Sequence, residues 1–350
     1  MNDNARNIQI DILKLISIMI IAFHHGGFFD GLLLRGYMVV DLFFVYSGFF
    51  LFESFRRDKN NSTLLFLGKR FKRYFPGYFL SWLIYLFVLL IWGSEWINYK
   101  TWYAPVMEML MIHELGIPGC SRIHYPDWYM SVLFTAGIVI FFLYNKINRK
   151  AFTLLSVIVP VTVILYAAFE VGGMEKWERV KMIFYAPWWR GFADMLVGGI
   201  IFYLKENTEE KRFRVLLSKH KVINYLLKTV ILVIMIYSLF DPKGNDFISL
   251  LFIWIAVMDS VFYPVKYKEN SKVCRVVKFL SGYEYELYLS HAIVIVGARK
   301  MSDILNFGTF GMVPAAIMMI LLIIYSISFK ELIERNFKRV IEKAVLWKIS

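Results

Sequence analysis

Residues 11–48 read DILKLISIMIIAFHHGGFFDGLLLRGYMVVDLFFVYSG. The stretch contains two apolar segments, and both carry ionisable residues. Asp11, Lys14, His24 and His25 fall in the first. Asp41 falls in the second, just ahead of Phe43-Phe44-Val45-Tyr46-Ser47-Gly48. An ionisable group inside a bilayer is costly unless paired or wetted, so each is a candidate for function if these segments span a membrane.

Composition says that they do. Of 350 residues, 58% are hydrophobic and 19% charged, with a mean hydropathy of +0.54. A soluble domain holds about 45–50% apolar and about 25% charged residues. The excess lies in runs, not in a larger core. A spanning helix needs about 20 mainly apolar residues, and ten such runs are read near 9–29, 36–55, 75–94, 128–145, 151–170, 188–204, 222–240, 247–264, 279–298 and 309–329. The expected fold is therefore all-α: a polytopic membrane bundle of about ten transmembrane helices. The first run lacks an A-x-A-like cleavage site and is read as retained.

The net charge of +13 would suit either nucleic-acid binding or a membrane protein with basic cytoplasmic loops. Its distribution favours the second. With ten spans, the long basic clusters at 56–74, 205–221, 265–278 and 330–350 all face one side. That asymmetry places both termini inside, and an odd number of spans would scramble it. No nucleic-acid partner is expected. The membrane domain is read as 1–330. Residues 331–350 are read as a cytoplasmic basic amphipathic tail on the inner leaflet, a contact with membrane lipid.

The longest stretch assigned to the outside, 95–127, mixes apolar residues with Glu108 and Glu114. It is read as an interfacial helix or a lid. Trp82, Trp92, Trp96, Trp102, Trp128, Trp188 and Trp189 sit near predicted ends and read as an interfacial belt. Cys120 and Cys274 fall on opposite sides and cannot pair. No His/Cys spacing suggests a metal, and no P-loop, GxGxxG, GxSxG or HExxH motif is present.

Depth along a helix follows from its rise of about 1.5 Å per residue. Lys14 lies in the inner half of the first span. His25 lies about four residues from its outer end, and Asp41 about five residues into the second span. The two should share a depth on neighbouring helices. A carboxylate beside an imidazole fixes its tautomer and stabilises its protonated form, as in a general base, although such a pair can also serve only to join two helices. Arg70 and Arg73, three apart before Pro76, share a helical face. They can hold anionic lipid or a phosphorylated ligand. Ser47-Gly48 permits close helix approach or passage of a slim ligand. Arg190 and Asp194 read as an i,i+4 pair. Asp259 has no evident partner, and His291 in the ninth span reads as a structural hydrogen-bonding group.

Taken together, these motifs resemble those of acyltransferase family 3, bacterial integral membrane O-acyltransferases that modify surface and secreted glycans. Lys14 and His25 meet the family's Arg/Lys, ten residues, His pattern, which selects His25 over His24. Phe43 to Gly48 meets FFxxSG, with the acidic Asp41 before it. Arg70 and Arg73 meet RxxR. Trp128-Tyr129-Met130 resembles its W-x-L segment, and Ser281 to His291 resembles its late S-x-x-x-YL-x-H segment. Lys14 stands where arginine is commoner, and no glutamate follows in Ser131-Val132-Leu133-Phe134.

The resemblance implies transfer of an acyl group, acetyl first, from cytoplasmic acyl-CoA to a hydroxyl of a surface glycan or its lipid-linked precursor. It implies a multi-pass protein of a bacterial cell membrane. Acetyl-CoA would be a donor substrate, with no permanently bound cofactor and no metal. Arg70 and Arg73 would hold the CoA phosphates, and Lys14, Ser47 and Gly48 would line the donor path. His25, oriented by Asp41, would be the base or a transient acyl carrier, with His24, Trp128 and His291 in support. Two other classes stand beside this one. A transporter of glycan or acyl carrier would lack the chemistry; it usually shows internal symmetry, which is not found here. A structural partner of glycan-synthesis machinery would not need the intact motif set.

Overall fold

The computed structural model describes residues 7–27, 35–57, 62–92, 97, 101–120, 122–174, 185–207, 221–241, 245–264, 271–305 and 312–343. Its helices are α1 (Ile8–Gly26), α2 (Val40–Arg57, entered through a 3-10 turn at Gly36–Val39), α3 (Thr63–Trp92) and the short α4 (Ala104–Met109). Then come α5 (Asp127–Lys146), α6 (Arg149–Tyr166, with a π turn at Ala167–Val171) and α7 (Ala186–Asn207). They are followed by α8 (Lys221–Phe240), α9 (Asp246–Phe262), α10 (Lys272–Leu280), α11 (Glu284–Leu305) and α12 (Met312–Ser328). A π segment at Phe329–Glu334 joins α12 to α13 (Arg335–Lys343).

Among the described residues, six helical stretches are long and apolar enough to cross a membrane: Ile8–Gly26, Gly36–Arg57, Thr63–Trp92, Asp127–Lys146, Arg149–Val171 and Pro314–Val340. The other four predicted runs are helical too, as α7, α8, α9 and α11. They fall short by length or charge. The helix α9 has 17 residues, and α7 and α11 carry Arg190 and Asp194 or Glu284 and Glu286.

Local sequence sets the ends of α1. Asn7 caps it by accepting a hydrogen bond from the Gln9 amide, and Asp11 lies in the first turn, where the helix dipole favours an acid. Gly27 closes it at φ 67°, a left-handed conformation that glycine adopts without a Cβ clash. His25 is thereby fixed one residue before the helix end. Helix α3 runs for 30 residues, about 45 Å. Its first turns carry Lys69 to Arg73, so the arginine pair stands on a continuous helix and not on a loop. Pro76 lies inside α3 and is buried.

The closest helix pair is α2 with α7. A Cβ built on Gly48 would overlap the Met195 backbone, and one on Gly198 would overlap the carbonyl of Val45. Small residues let the two backbones touch, which is how membrane helices associate without a hydrophobic drive. Gly48 therefore faces α7, not a ligand path, and the donor-path role expected for it is replaced by packing. Gly48→Ala should cost about 1–3 kcal/mol through overpacking. The measurement is the thermal midpoint of purified protein, and an unchanged midpoint would show that α2 and α7 can part freely.

Several expectations change. Trp188 is buried, its indole donating to Thr135 Oγ1 at 2.9 Å, and Trp82 is buried as well. These two are core residues, whereas Trp92 and Trp102 are exposed. Trp96 lies outside the described residues. The described residues of 101–126 pack on the bundle. They turn back onto α3 and α5 and bury Glu108, His113 and Glu114. Glu108 is satisfied by the amides of Ile123 and His124, both at 3.0 Å, and Glu114 by Arg122 at 2.5 Å. Residues 331–343 continue the last long helix. Lys330 bridges to Glu286 at 3.1 Å, and Glu334 is buried against Gly77. These contacts tie the start of the expected tail to α11 and α3. The rest of the expected tail, 344–350, lies outside the described residues.

Candidate active site

His25 stands in the last turn of α1 and meets α11. Its Nδ1 lies 3.0 Å from Nε2 of His291, with the two rings edge to edge and nearly coplanar, 5.2 Å between centroids and 20° between planes. Tyr125 sets its edge against the His25 ring at 4.7 Å, and Tyr288 lies 5.4 Å from the His291 ring. Arg299 donates to the carbonyls of His25 and Gly26 at 3.1 and 3.2 Å, which satisfies the end of α1. His291 of α11 and Tyr125 from the segment before α5 thus meet at the His25 imidazole.

Asp41 does not. Both its oxygens accept from Arg190 of α7, at 2.7 Å from Nε and 2.8 Å from Nη2. The pair is fully buried. The expectation that Asp41 orients His25 is corrected: a bidentate guanidinium is the stronger partner for a carboxylate and takes it away from the imidazole. Arg190 was expected to pair with Asp194, four residues on. Asp194 instead accepts from the Trp254 indole at 3.1 Å. Trp128 belongs with this second group, its ring 5.9 Å from the Arg190 guanidinium and 5.6 Å from Phe44. His24 leans on the turn before α2, against Gly36 and the Tyr37 ring at 5.7 Å.

From His25 a line of side chains leads toward the far end of the bundle. Tyr288 packs on Tyr129 at 4.8 Å, and Phe43 lies near both. The Tyr129 hydroxyl reaches Ser47. Lys14, about 16 Å below His25 by helical rise, pairs with Glu284 at 3.3 Å and sits over the rings of Tyr46 and Phe50. Arg70 and Arg73 flank the Tyr74 ring at 5.4 and 5.3 Å. Arg70 is tucked against Gly137 of α5 and donates to the Leu133 carbonyl at 2.7 Å. Its Nε is buried without a partner among the described residues, and Arg73 is exposed.

Three features were missed in the sequence. Glu284 is the counter-charge of Lys14, although it lies inside the Ser281–His291 segment. Tyr125 and Arg299 have no motif around them. Asp259 does have a partner: Lys228 of α8 at 2.6 Å, with Gln9 also donating at 2.9 Å. An imidazole–carboxylate contact does occur between His124 and Asp127 at 2.5 Å, with Tyr85 beside it. Burial and then Glu114 push the Cys120 thiol pKa above its ordinary value. Burial and then Arg122 hold His113 well below the usual histidine range, so it stays neutral.

The half-buried His25 with its aromatic and imidazole neighbours at one end, and Arg70 and Arg73 toward the other, are the groups this helical membrane bundle offers for chemistry. The chain belongs to acyltransferase family 3: the family model described as an acyltransferase domain matches residues 7–329. It is a multi-pass membrane acyltransferase that transfers acyl groups other than aminoacyl groups. No curated protein and no solved structure matches it.

Proposed function

We propose that this enzyme moves an acyl group, acetyl first, from cytoplasmic acyl-CoA to a hydroxyl of a surface glycan or its lipid-linked precursor in a bacterial cell membrane. The observation that carries this reading is the set of side chains that links His25 through His291 and Tyr288 to Tyr129 beside Ser47, with the arginine pair around Tyr74 at the other end and Arg70 acting on Tyr129 electrostatically from there. A pantetheine arm is slim enough to follow it. The donor phosphates would stay with Arg70 and Arg73 while the thioester reaches His25.

In this reading the chain crosses the membrane ten times with both termini inside, which sets Arg70 and Arg73 on the cytoplasmic side. Lys14, held by Glu284 beside the path, supplies positive charge to the passing arm. Asp41 and Arg190 clamp α2 to α7 rather than act on substrate. His25 takes the acceptor's proton, and the chemistry of the family sets aside transport without acyl transfer.

Two experiments bear on the donor and acceptor. Replacing Arg70 and Arg73 by alanine should raise the donor KM by about 10-fold or more, the worth of a charged hydrogen bond. An unchanged KM would remove them from donor binding. Mass spectrometry of surface glycans from a deletion strain should show loss of an acyl group, and identical glycans would overturn the acceptor assignment.

A further inference from the structure

The protonation pattern of His25 follows from two contacts on α11. Nδ1 of His291 lies against the carbonyl oxygen of Tyr288, three residues earlier on the same helix. A carbonyl accepts and never donates, so this nitrogen carries the proton. In neutral His291 the other nitrogen, Nε2, is then an acceptor. It lies 3.0 Å from Nδ1 of His25, which must therefore be the donor. The lone pair of neutral His25 is left on Nε2.

We infer that His291 is a positioning residue that holds His25 as the Nδ1–H tautomer, leaving Nε2 bare for the reacting hydroxyl. Free histidine favours the opposite, Nε2–H form, in which the outward nitrogen would be blocked. The inference rests on the proposed role of His25 and adds the group that makes the role workable. The ring has little freedom to escape. Tyr125 packs against the ring at 4.7 Å, the His291 ring lies nearly coplanar with it at an interplanar angle of 20°, and Arg299 ties down the helix end.

The proton and electron count closes. The acceptor O–H bond breaks and its proton bonds to Nε2 of His25. The oxygen's electron pair attacks the thioester carbonyl, the new C–O bond forms, and the C–S bond breaks. The leaving thiolate then takes the proton back from Nε2. While His25 is charged, its Nδ1–H still donates to His291, whose lone pair stabilises the imidazolium. The other charged and titratable groups around the pair are His24 on α1, Arg299 and Tyr288 on α11, and His124 and Tyr125 from the segment before α5.

The test uses the full chain in detergent or nanodiscs with nitrogen-15-labelled histidine. Two-bond proton–nitrogen correlation spectra identify each tautomer, and His25→Gln assigns the signal among six histidines. The expected result is a protonated Nδ1 and a bare Nε2 at His25. A protonated Nε2 in the wild-type protein overturns the inference. In His291→Phe, the Nε2–H form should dominate and kcat should fall about 10²-fold with donor KM unchanged, the scale seen when a base loses its orienting group. His291→Gln, whose side-chain oxygen can accept from Nδ1–H, should recover about 10-fold of that loss. Wild-type kcat in His291→Phe, or no recovery in a folded His291→Gln, overturns the positioning role. Failure of the wider reading looks different: His25→Ala would keep activity whatever the spectra show.

Discussion

Alanine in place of His25 should lower kcat/KM for acyl transfer by about 10²–10⁴-fold, the contribution of a positioned general base. The amount of folded protein should change little. His25 is the penultimate residue of α1, and the fold there is held by other groups: Gly27 in the cap, Arg299 on the terminal carbonyls, and Ile18 and Ile21 in the core below. Radiolabelled acyl-CoA with purified protein and an acceptor reads the effect, with the thermal midpoint as control. Retained transfer in a folded His25→Ala variant would sink the assignment. Alanine at His24 gives the contrast. That ring packs on Gly36 and Tyr37, away from His291, so its loss should leave kcat within a few-fold of wild type.

Removing Arg190 should be the most damaging change to the fold. Asp41 is fully buried, and both its oxygens depend on that guanidinium. Breaking a buried pair from one side costs about 3–5 kcal/mol, because a charge is left without compensation. Arg190→Leu should therefore cut the yield of folded protein sharply. Asp41→Leu should cost less, since Asp194 lies close enough to act on Arg190 and can take it over. Fluorescence-detected size exclusion of tagged variants measures both. Equal losses would show that Asp194 gives no support. An Asp41→Leu variant that folds normally but transfers nothing would restore a catalytic part for this carboxylate.

Much of this was legible in the residues. Apolar runs are enough to expect an all-helical membrane bundle, because length and hydropathy are local properties: all ten runs are helical, and six helical stretches among the described residues are long and apolar enough to span. Partners are not local. The i,i+4 spacing of Arg190 and Asp194 hid the pairing with Asp41, which lies 149 residues away and is made possible by glycines on both helices. Lys228 and Asp259 could have been matched. They are opposite charges at similar depth on consecutive antiparallel runs, and 2.6 Å separates them. His291 was visible as a membrane histidine but not as the neighbour of His25, since nothing in a sequence says that the first and eleventh helices touch. The buried 101–126 stretch was the hardest to read. Its carboxylates look solvent-facing until Ile123, His124 and Arg122 are seen to satisfy them.

The glycine contact between α2 and α7 carries a consequence for how the enzyme cycles. Backbones that touch at Gly48 and Gly198 can neither slide nor rotate past each other without collision, and packed cores switch between discrete arrangements instead of deforming smoothly. On the proposed reading, any widening of the donor route would fall to α3 and α11 and not to this clamped pair. Because the His25–His291 contact joins α1 to α11, opening the route and parting the two imidazoles would then be a single motion.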